Sequence, residues 1–365
     1  MNIKSWLEYD PARLEELVRT AGSRMANRRV AVLYGGTSTE DQLYMESKPQ
    51  SEWSVNDVLA GLRELGVDAE WLDPTVPGFT ADVAAFDAAF LNVHGDFGED
   101  GNLQGTLAYL GVPYTGSAVA TSVIGADKRL TKLVLGGSSV AIPAYRRLAP
   151  GVLPNPAPAC PVMLKAVNGG SSVGTVLVTE PDELDHTLRQ LWDAGFDDVI
   201  AESFVDGATV TVSAVRIDQQ VLLLPPIACV TDREYYDEYS KLHGEQSGTV
   251  RYEALTDPDD PRLRRLHDAA REILSVFDFE GSIRVDFILP QDGEPVLLEL
   301  NTIPGVQHGS NLVLSAAAAG ISYPDLLGIV LASASNTAKL APWKRPQPDP
   351  SRLDGDRGLL PAAAL

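Results

Sequence analysis

Two predominantly apolar runs in the first third of the chain each lead into a glycine-containing segment. Val30 to Tyr34 runs into Gly35-Gly36, and the run that begins at Ala88 leads into HGDFGEDGNLQG. Such runs are typical of buried parallel strands, and ligands collect beyond the carboxyl ends of these strands. Apolar spacing at Ser54 to Glu64 and at Asn102 to Leu110 predicts helices beside them. The pattern predicts an N-terminal α/β domain with a doubly wound parallel sheet. A glycine-rich helix cap is the alternative to a ligand site.

A second pattern follows, in which strand-like runs are joined by a glycine-serine loop. Cys160 to Val167 and Thr175 to Thr179 are predicted strands with NGGSSVG between them. The loop joins strand to strand and lacks a Gly-Lys-Ser/Thr ending, so it is not a Walker A loop. Its amides could form a nest for phosphate with Lys165 nearby, and a plain hairpin loop is the alternative. Val199 to Val205 and Ala208 to Ile217 are predicted to continue an antiparallel unit.

Residues 284–305, RVDFILPQDGEPVLLELNTIPG, have the pattern of a β-hairpin that turns at Asp292-Gly293. In that register Asp286 lies opposite Glu299, and on the same face Arg284 lies opposite Asn301. The other face is apolar: Val285, Phe287, Leu298 and Leu300. Facing carboxylates repel unless a cation lies between them, and carboxylate and amide oxygens suit Mg²⁺, which also binds phosphates. A solvated face on which the arginine neutralises the acids is the alternative.

Composition limits the partners. The chain has 365 residues, 44% hydrophobic and 22% charged, which predicts two or three globular domains. Its net charge of −21 excludes nucleic acid or an anionic membrane as the main partner, so a phosphate-bearing ligand needs a local basic cluster. Cys160 and Cys229 are too far apart in sequence to indicate a disulfide framework or a zinc site. The first residues lack the apolar core of a signal peptide, so a soluble, cytoplasmic protein is expected.

Three segments lie outside the predicted domain cores. Residues 1–29 are expected to form a helical extension. Residues 231–252 are polar with little periodicity, which predicts a functional lid or a disordered loop. Residues 341–365 are proline-rich and are predicted to be a disordered tail.

Taken in order, six stretches resemble the D-alanine–D-alanine ligase family of the ATP-grasp superfamily. From the N-terminus they are VLYGGTSTE, VHGDFGEDGNLQG, GADKRLTK, MLKAVNGGSSVG, the polar 231–252 segment and RVDF…LLELNTIPG. The resemblance covers roughly residues 29–335. It implies an ATP-grasp fold with domains at 30–125, 126–215 and 216–340. It also implies a homodimer, and ATP with Mg²⁺ (or Mn²⁺) used to join two amino acids through an acyl-phosphate.

The resemblance also implies roles for individual residues. The magnesium ligands would be Asp286, Glu299 and Asn301. ATP would be bound by Lys128, Lys165, Gly170, Ser171, Ser172, Val173, Gly174, Glu202, Val205, Thr209 and the lid residue Lys241. The first amino acid would be bound by Glu40, His94 and Ser171, and the second by Gly305 and Ser310. Arg284 would stabilise the oxyanion of the tetrahedral intermediate and, with Ser171, Glu40 and Lys241, would make up the catalytic set.

Several positions depart from the family pattern. They are Tyr44, Ala166, Ser203, Thr209, Leu242, His243, Gln307, His308 and Gly309. These positions are concentrated at amino-acid and nucleoside contacts, whereas the phosphate and metal residues are all present. A working ligase is therefore predicted, with D-alanyl-D-alanine as the first expected product. The alternatives are the same chemistry on other amino or hydroxy acids in a secondary pathway, and a nucleotide-binding protein without catalysis.

Overall fold

The structure of the chain is a computed structural model that describes residues 5–6, 16, 19–20, 27–168, 173–217, 219–231, 250–291 and 293–334. Several predictions fall outside these residues. They concern most of the 1–29 extension, loop residues Gly170, Ser171 and Ser172, most of the 231–252 segment with Lys241, Leu242 and His243, turn residue Asp292, and the tail.

The described strands, in chain order, are β1 (Ser5–Trp6), β2 (Arg29–Leu33), β3 (Asp68–Leu72), β4 (Ala88–Leu91), β5 (Tyr145–Leu148), β6 (Val162–Ala166), β7 (Thr175–Val178), β8 (Val199–Ser203), β9 (Ala208–Ile217), β10 (Gln220–Leu223), β11 (Ile227–Thr231), β12 (Val250–Ala254), β13 (Ser282–Leu289) and β14 (Val296–Asn301). The described α-helices are α1 (Thr39–Ser47), α2 (Ser54–Glu64), α3 (Phe79–Val83), α4 (Asn102–Leu110), α5 (Val119–Ala126), α6 (Lys128–Val134), α7 (Leu184–Asp193), α8 (Pro261–Val276), α9 (Asn311–Ala318) and α10 (Tyr323–Ala332).

The first sheet is parallel, in the order β3-β2-β4. Alternate residues of β2 enter two different cores: Val30 and Val32 pack with α2 and α10, whereas Ala31 and Leu33 pack with α3 and α4. Burial on both faces explains why residues 30–33 of the strand are all apolar, whereas Arg29 at its start is exposed. The parallel sheet, α2 and α4 are as predicted, whereas α1 is a helix that the apolar pattern did not indicate.

The second sheet is antiparallel, in the order β5-β8-β6-β7. Strands β6 and β7 are neighbours, so the glycine-serine loop does connect strand to strand. Helix α7 covers one face through Leu184, Leu188 and Leu191. Because side chains alternate along a strand, Lys165 on β6 and Glu202 on β8 lie on the other face.

The third sheet is built around β9, which pairs with β10, β11 and, along most of its length, β13. The expectation that β8 and β9 belong to one antiparallel unit is therefore wrong, because the two strands lie in different sheets. Residues 250–252 of the predicted lid region are part of β12, so that stretch ends in a strand. The domain limits stay a prediction, and the predicted limit at residues 215–216 falls inside β9.

The β13–β14 hairpin has the predicted register at its functional end. Arg284 pairs with Asn301, and Asp286 pairs with Glu299. A β-bulge follows Asp286 and shifts the pairing, so that Phe287 pairs with Leu297. The predicted core position of Leu298 is therefore wrong, since Leu297 is the buried residue.

The described strands do not extend to the predicted two-residue turn, because β13 ends at Leu289 and β14 begins at Val296. Pro290 and Pro295 lack the N–H groups that would continue the ladder, which accounts for the longer connection.

Helix α5 lies close against β14 at Gly125. A Cβ atom at this glycine would lie 2.6 Å from Cγ2 of Thr302, a buried residue beside Asn301. We expect Gly125→Ala to lower the free energy of unfolding by about 1–3 kcal/mol, because the buried side chain of Thr302 must move. Gly105→Ala is the control, since nothing lies within 4 Å of its Cβ position in α4. It should raise the free energy of unfolding by about 0.5–1 kcal/mol. Urea unfolding measures both; equal effects would contradict this packing.

Within the described part of the chain, no single helix is long and apolar enough to cross a membrane. Helices α9 and α10 reach that length and composition only as a pair bent by 110°.

Candidate active site

The hairpin face carries an ion pair. Arg284 Nε and Nη2 donate to the two carboxylate oxygens of Asp286 at 2.8 and 2.9 Å, and Asn301 Nδ2 donates to Asp286 Oδ2 at 3.0 Å. Burial opposes the charge of Arg284, but Asp286, with Glu299 and Glu99 farther away, raises the pKa of the guanidinium above its usual value. Arg284 therefore stays charged, and it holds Asp286 in a fixed position.

A cavity of about 220 Å³ opens beside this face. Glu299 and Asn301 line one wall together with Lys128, the first residue of α6. Lys128 Nζ lies 3.8 Å from Glu299 Oε2. The lining also includes three acidic residues of the loop after β4: Asp96, Glu99 and Asp100. The cavity thus brings Lys128, a predicted phosphate-binding cation, next to two of the three predicted metal ligands, and the third, Asp286, is hydrogen-bonded to Asn301.

The local basic cluster that a phosphate ligand requires lies behind Lys128. Glu202 accepts from Lys165 Nζ at 2.7 Å through one oxygen, and Lys132 Nζ lies 2.8 Å from the other. The backbone amide of Lys128 donates to Val167 O at 3.3 Å, which joins the start of α6 to the end of β6. Lys132 was not singled out from the sequence, because nothing local distinguishes it from a surface lysine on a short helix.

On the first sheet, His94 is held by Asp41. The His94 backbone N donates to Asp41 Oδ2 at 2.9 Å, and His94 Nδ1 lies 3.1 Å from Asp41 Oδ1. Thr37 Oγ1 also donates to Asp41 Oδ2, and Ser38 caps α1 by accepting from the Asp41 amide. Glu40 is the second residue of the same helix, and its side chain lies outside the described atoms. Sequence analysis missed Asp41, although its place three residues after a capping serine is a local signal.

We expect Asp41→Asn to raise the KM for the amino acid bound near His94 about tenfold. The variant loses the charge-assisted contact that orients the imidazole, an interaction worth about 1.5–3 kcal/mol. The KM for ATP should not change. Asp82→Asn, at an exposed position on α3, is the matched control. Steady-state kinetics with each substrate varied in turn measure the effect, and an unchanged amino-acid KM would show that the contact only stabilises the fold.

The remaining predicted residues that belong to the described part of the chain are not among those that line the cavity. Val173, Val205 and Thr209 are partly buried, and Gly174 adopts φ +68°. Ser310 begins α9 and donates through Oγ to Gly305 O at 2.7 Å, which folds the predicted acceptor loop back on itself. Among the departures from the family pattern, His308 stacks on Tyr323 with ring centroids 4.3 Å apart, and Tyr44 has Lys48 Nζ 4.7 Å from its ring centroid.

Two family models match the chain. The model described as D-ala D-ala ligase N-terminus matches residues 49–117, and the one described as D-ala D-ala ligase C-terminus matches residues 157–332. The D-alanine–D-alanine ligase of Cupriavidus metallidurans is 36% identical over 312 residues, which are 84% of this chain and 92% of that protein. The enzyme of the same name from Halorhodospira halophila is 36% identical over 309 residues, or 84% and 96% of the two chains.

Solved structures show the same likeness. The crystal structure of D-alanine–D-alanine ligase from Bacillus anthracis complexed with ATP matches with a TM-score of 0.71 and 27% identity, over 86% of this chain and 99% of that chain. The structure of the D-alanine–D-alanine ligase from Coxiella burnetii, at 20% identity and a TM-score of 0.67, shares the fold.

The cavity is lined by residues from both antiparallel units, and the fold is shared with these ligases. The protein is therefore an ATP-grasp ligase. Its family is given by identity that extends over most of both chains. The chain belongs to the D-alanine–D-alanine ligase family.

Proposed function

We propose that the chain uses magnesium-ATP to join two amino acids through an acyl-phosphate, and that D-alanyl-D-alanine is the first product to test. The observation that carries this proposal is that Lys128 lines the same cavity as Glu299 and Asn301, with its Nζ 3.8 Å from Glu299 Oε2. A cationic side chain that can bind phosphate therefore lies next to side-chain oxygens that can bind a metal ion. The names of the relatives supply the substrate.

The hairpin residues fit Mg²⁺ by their chemistry. Two carboxylates and an amide oxygen are hard donors, and Mg²⁺ is commonly held by one or two carboxylates together with substrate phosphates. The register sets Asp286 directly opposite Glu299, where their repulsion favours a cation. The bound metal would neutralise charge on the transferred phosphoryl group.

The other residues have separate tasks in the proposed reaction. Lys128 and Lys165 bind phosphate oxygens and offset their charge. Arg284, which stays protonated, donates to the oxyanion that forms when the second amino acid attacks the acyl-phosphate. Glu40 and His94 hold the first amino acid. Gly305 and Ser310 are assigned to the second amino acid, and the 170–174 loop with Lys241 is assigned to covering the nucleotide; these assignments rest on resemblance alone.

A second candidate is ligation of other amino or hydroxy acids. Tyr44 is four residues after Glu40 and therefore on the same side of α1, where it adds bulk with Lys48 beside its ring. A larger or differently shaped first substrate would contact Tyr44 and Lys48.

Phosphate release from ATP, measured across a panel of D- and L-amino acids and hydroxy acids, tests the proposal. Release with D-alanine alone supports the first product. Release only with other pairs supports the second candidate. No release with any pair, while Mg-ADP still binds, would leave a nucleotide-binding protein without catalysis.

We also propose a homodimer, which rests on the family resemblance. Light scattering after size-exclusion chromatography should give twice the mass of the chain. A mass equal to one chain would contradict it.

A further inference from the structure

Three ionisable side chains from three elements meet in the interior, about one turn along α6 from Lys128, which lines the cavity. They are Lys132 on α6, Glu202 on β8 and Lys165 on β6, with side-chain exposures of 1%, 2% and 10%. Each lysine amine lies within 2.8 Å of one oxygen of Glu202, so a single carboxylate bridges two ammonium groups. Buried charges are retained only when they are paired, so this arrangement requires an explanation.

The cluster holds more positive than negative charge. One carboxylate neutralises one lysine, and the second lysine leaves a net charge of about +1 in a site closed to water. Lys132 Nζ lies 2.8 Å from Glu202 Oε1 and 5.8 Å from the centroid of the Tyr145 ring, and Glu202 is the one described carboxylate that pairs with this ammonium. Burial lowers the pKa of Lys132, and Lys165 and Lys128 lower it further, whereas Glu202 opposes the shift.

The surplus positive charge of this cluster can act on a ligand through Lys165. Lys132 is too deeply buried to touch a ligand, whereas Lys165 is the more exposed lysine and lies on the face of β6 directed away from the α7 core. Burial would raise the pKa of Glu202, but the two lysines outweigh it and hold the pKa below its usual range. Glu202 therefore stays ionised and keeps the amine of Lys165 in place.

We propose that Lys132 is a positioning residue for the nucleotide. Acting through Glu202, it fixes Lys165, and its charge leaves the cluster with a surplus that the nucleotide phosphates balance. This inference rests on the proposed function, since it takes the ligand at Lys165 and Lys128 to be a phosphate chain. A consequence follows for the free enzyme: the surplus charge destabilises it, and nucleotide binding removes that cost.

The test uses Lys132→Met, which keeps the length of the side chain without its charge, and Lys132→Arg, which keeps the charge. Arg271→Met, at an exposed position on α8, is the control for losing one positive charge. Mg-ADP is the probe. Calorimetry gives its Kd, thermal melting gives Tm with and without it, and steady-state kinetics give the KM values.

In Lys132→Met, Glu202 and Lys165 remain as a balanced pair. We expect a Tm without nucleotide at or above that of the wild type, a Kd for Mg-ADP raised at least about tenfold, and a smaller rise in Tm on adding Mg-ADP. The KM for ATP should rise while the KM values for the amino acids stay unchanged. Lys132→Arg should recover most of the affinity, and Arg271→Met should match the wild type.

Wild-type affinity in Lys132→Met would overturn the proposal. So would a large drop in Tm or failure to fold, because either would show that Lys132 is needed only to neutralise Glu202. Wild-type protein that does not bind Mg-ADP at all would instead refute the proposed function. The two failures are therefore distinguishable.

Discussion

Replacing Glu299 by Gln should lower kcat by at least about 100-fold with D-alanine or whichever amino acids the enzyme accepts. The substitution keeps the shape of the side chain but removes the charge that faces Lys128 and lies opposite Asp286. Because it relieves repulsion between two facing carboxylates, it should leave Tm unchanged or slightly higher. Phosphate release and thermal melting measure the two effects separately.

Glu294→Gln is the matched control. Glu294 is an exposed acid on the same hairpin, in the connection between β13 and β14, and it does not line the cavity. It should keep wild-type activity and stability. Wild-type activity in Glu299→Gln would refute the metal assignment, and a loss of Tm in that variant would mean that Glu299 supports the fold instead.

Replacing Arg284 by Lys should lower kcat by about 10²–10³-fold, the range observed when one donor to an oxyanion is removed. Lysine keeps a charge near Asp286, but it cannot make the two parallel hydrogen bonds of the guanidinium, so the donor is no longer fixed in direction. The Kd for Mg-ADP should change little, because Arg284 is assigned to the acyl-transfer step. Single-turnover kinetics and calorimetry separate the two quantities.

Arg265→Lys controls for the structural part of this change. Arg265 is a partly buried arginine whose Nη1 donates to Gly293 O at 2.8 Å, in the connection of the same hairpin. It should lose some stability and keep its kcat. A similar fall in kcat for both variants would indicate that Arg284 acts only by holding the hairpin.

Local patterns were sufficient to predict the hairpin face. Period-two alternation and the turn signal place Arg284 and Asp286 on one side, opposite Asn301 and Glu299. The bulge is different, because Leu297 and Leu298 are both apolar and either could face the core. Which one does so depends on packing against α5 and α8, and the chain's own pattern does not carry that information.

Strand partners were harder to predict than strands. The run at 208–217 is recognisable as β9, but its periodicity does not say that it leaves the sheet of β8 to pair with β13. In the same way, the ion cluster at Glu202 needs residues 132, 165 and 202 in one place, and Asp41 meets His94 across 53 positions of sequence. Long-range contacts of this kind leave no signal in composition or spacing.

The measurement that tests the account most directly is anomalous diffraction from crystals grown with Mn²⁺ and ADP. A manganese peak should lie about 2 Å from oxygens of Glu299 and Asn301, with one oxygen of Asp286 released from Arg284 towards the metal. The phosphates should contact Lys128 and Lys165. A metal bound instead at Asp96 or Asp100, with Asp286 still held by Arg284 and no phosphate near Lys128, would contradict it.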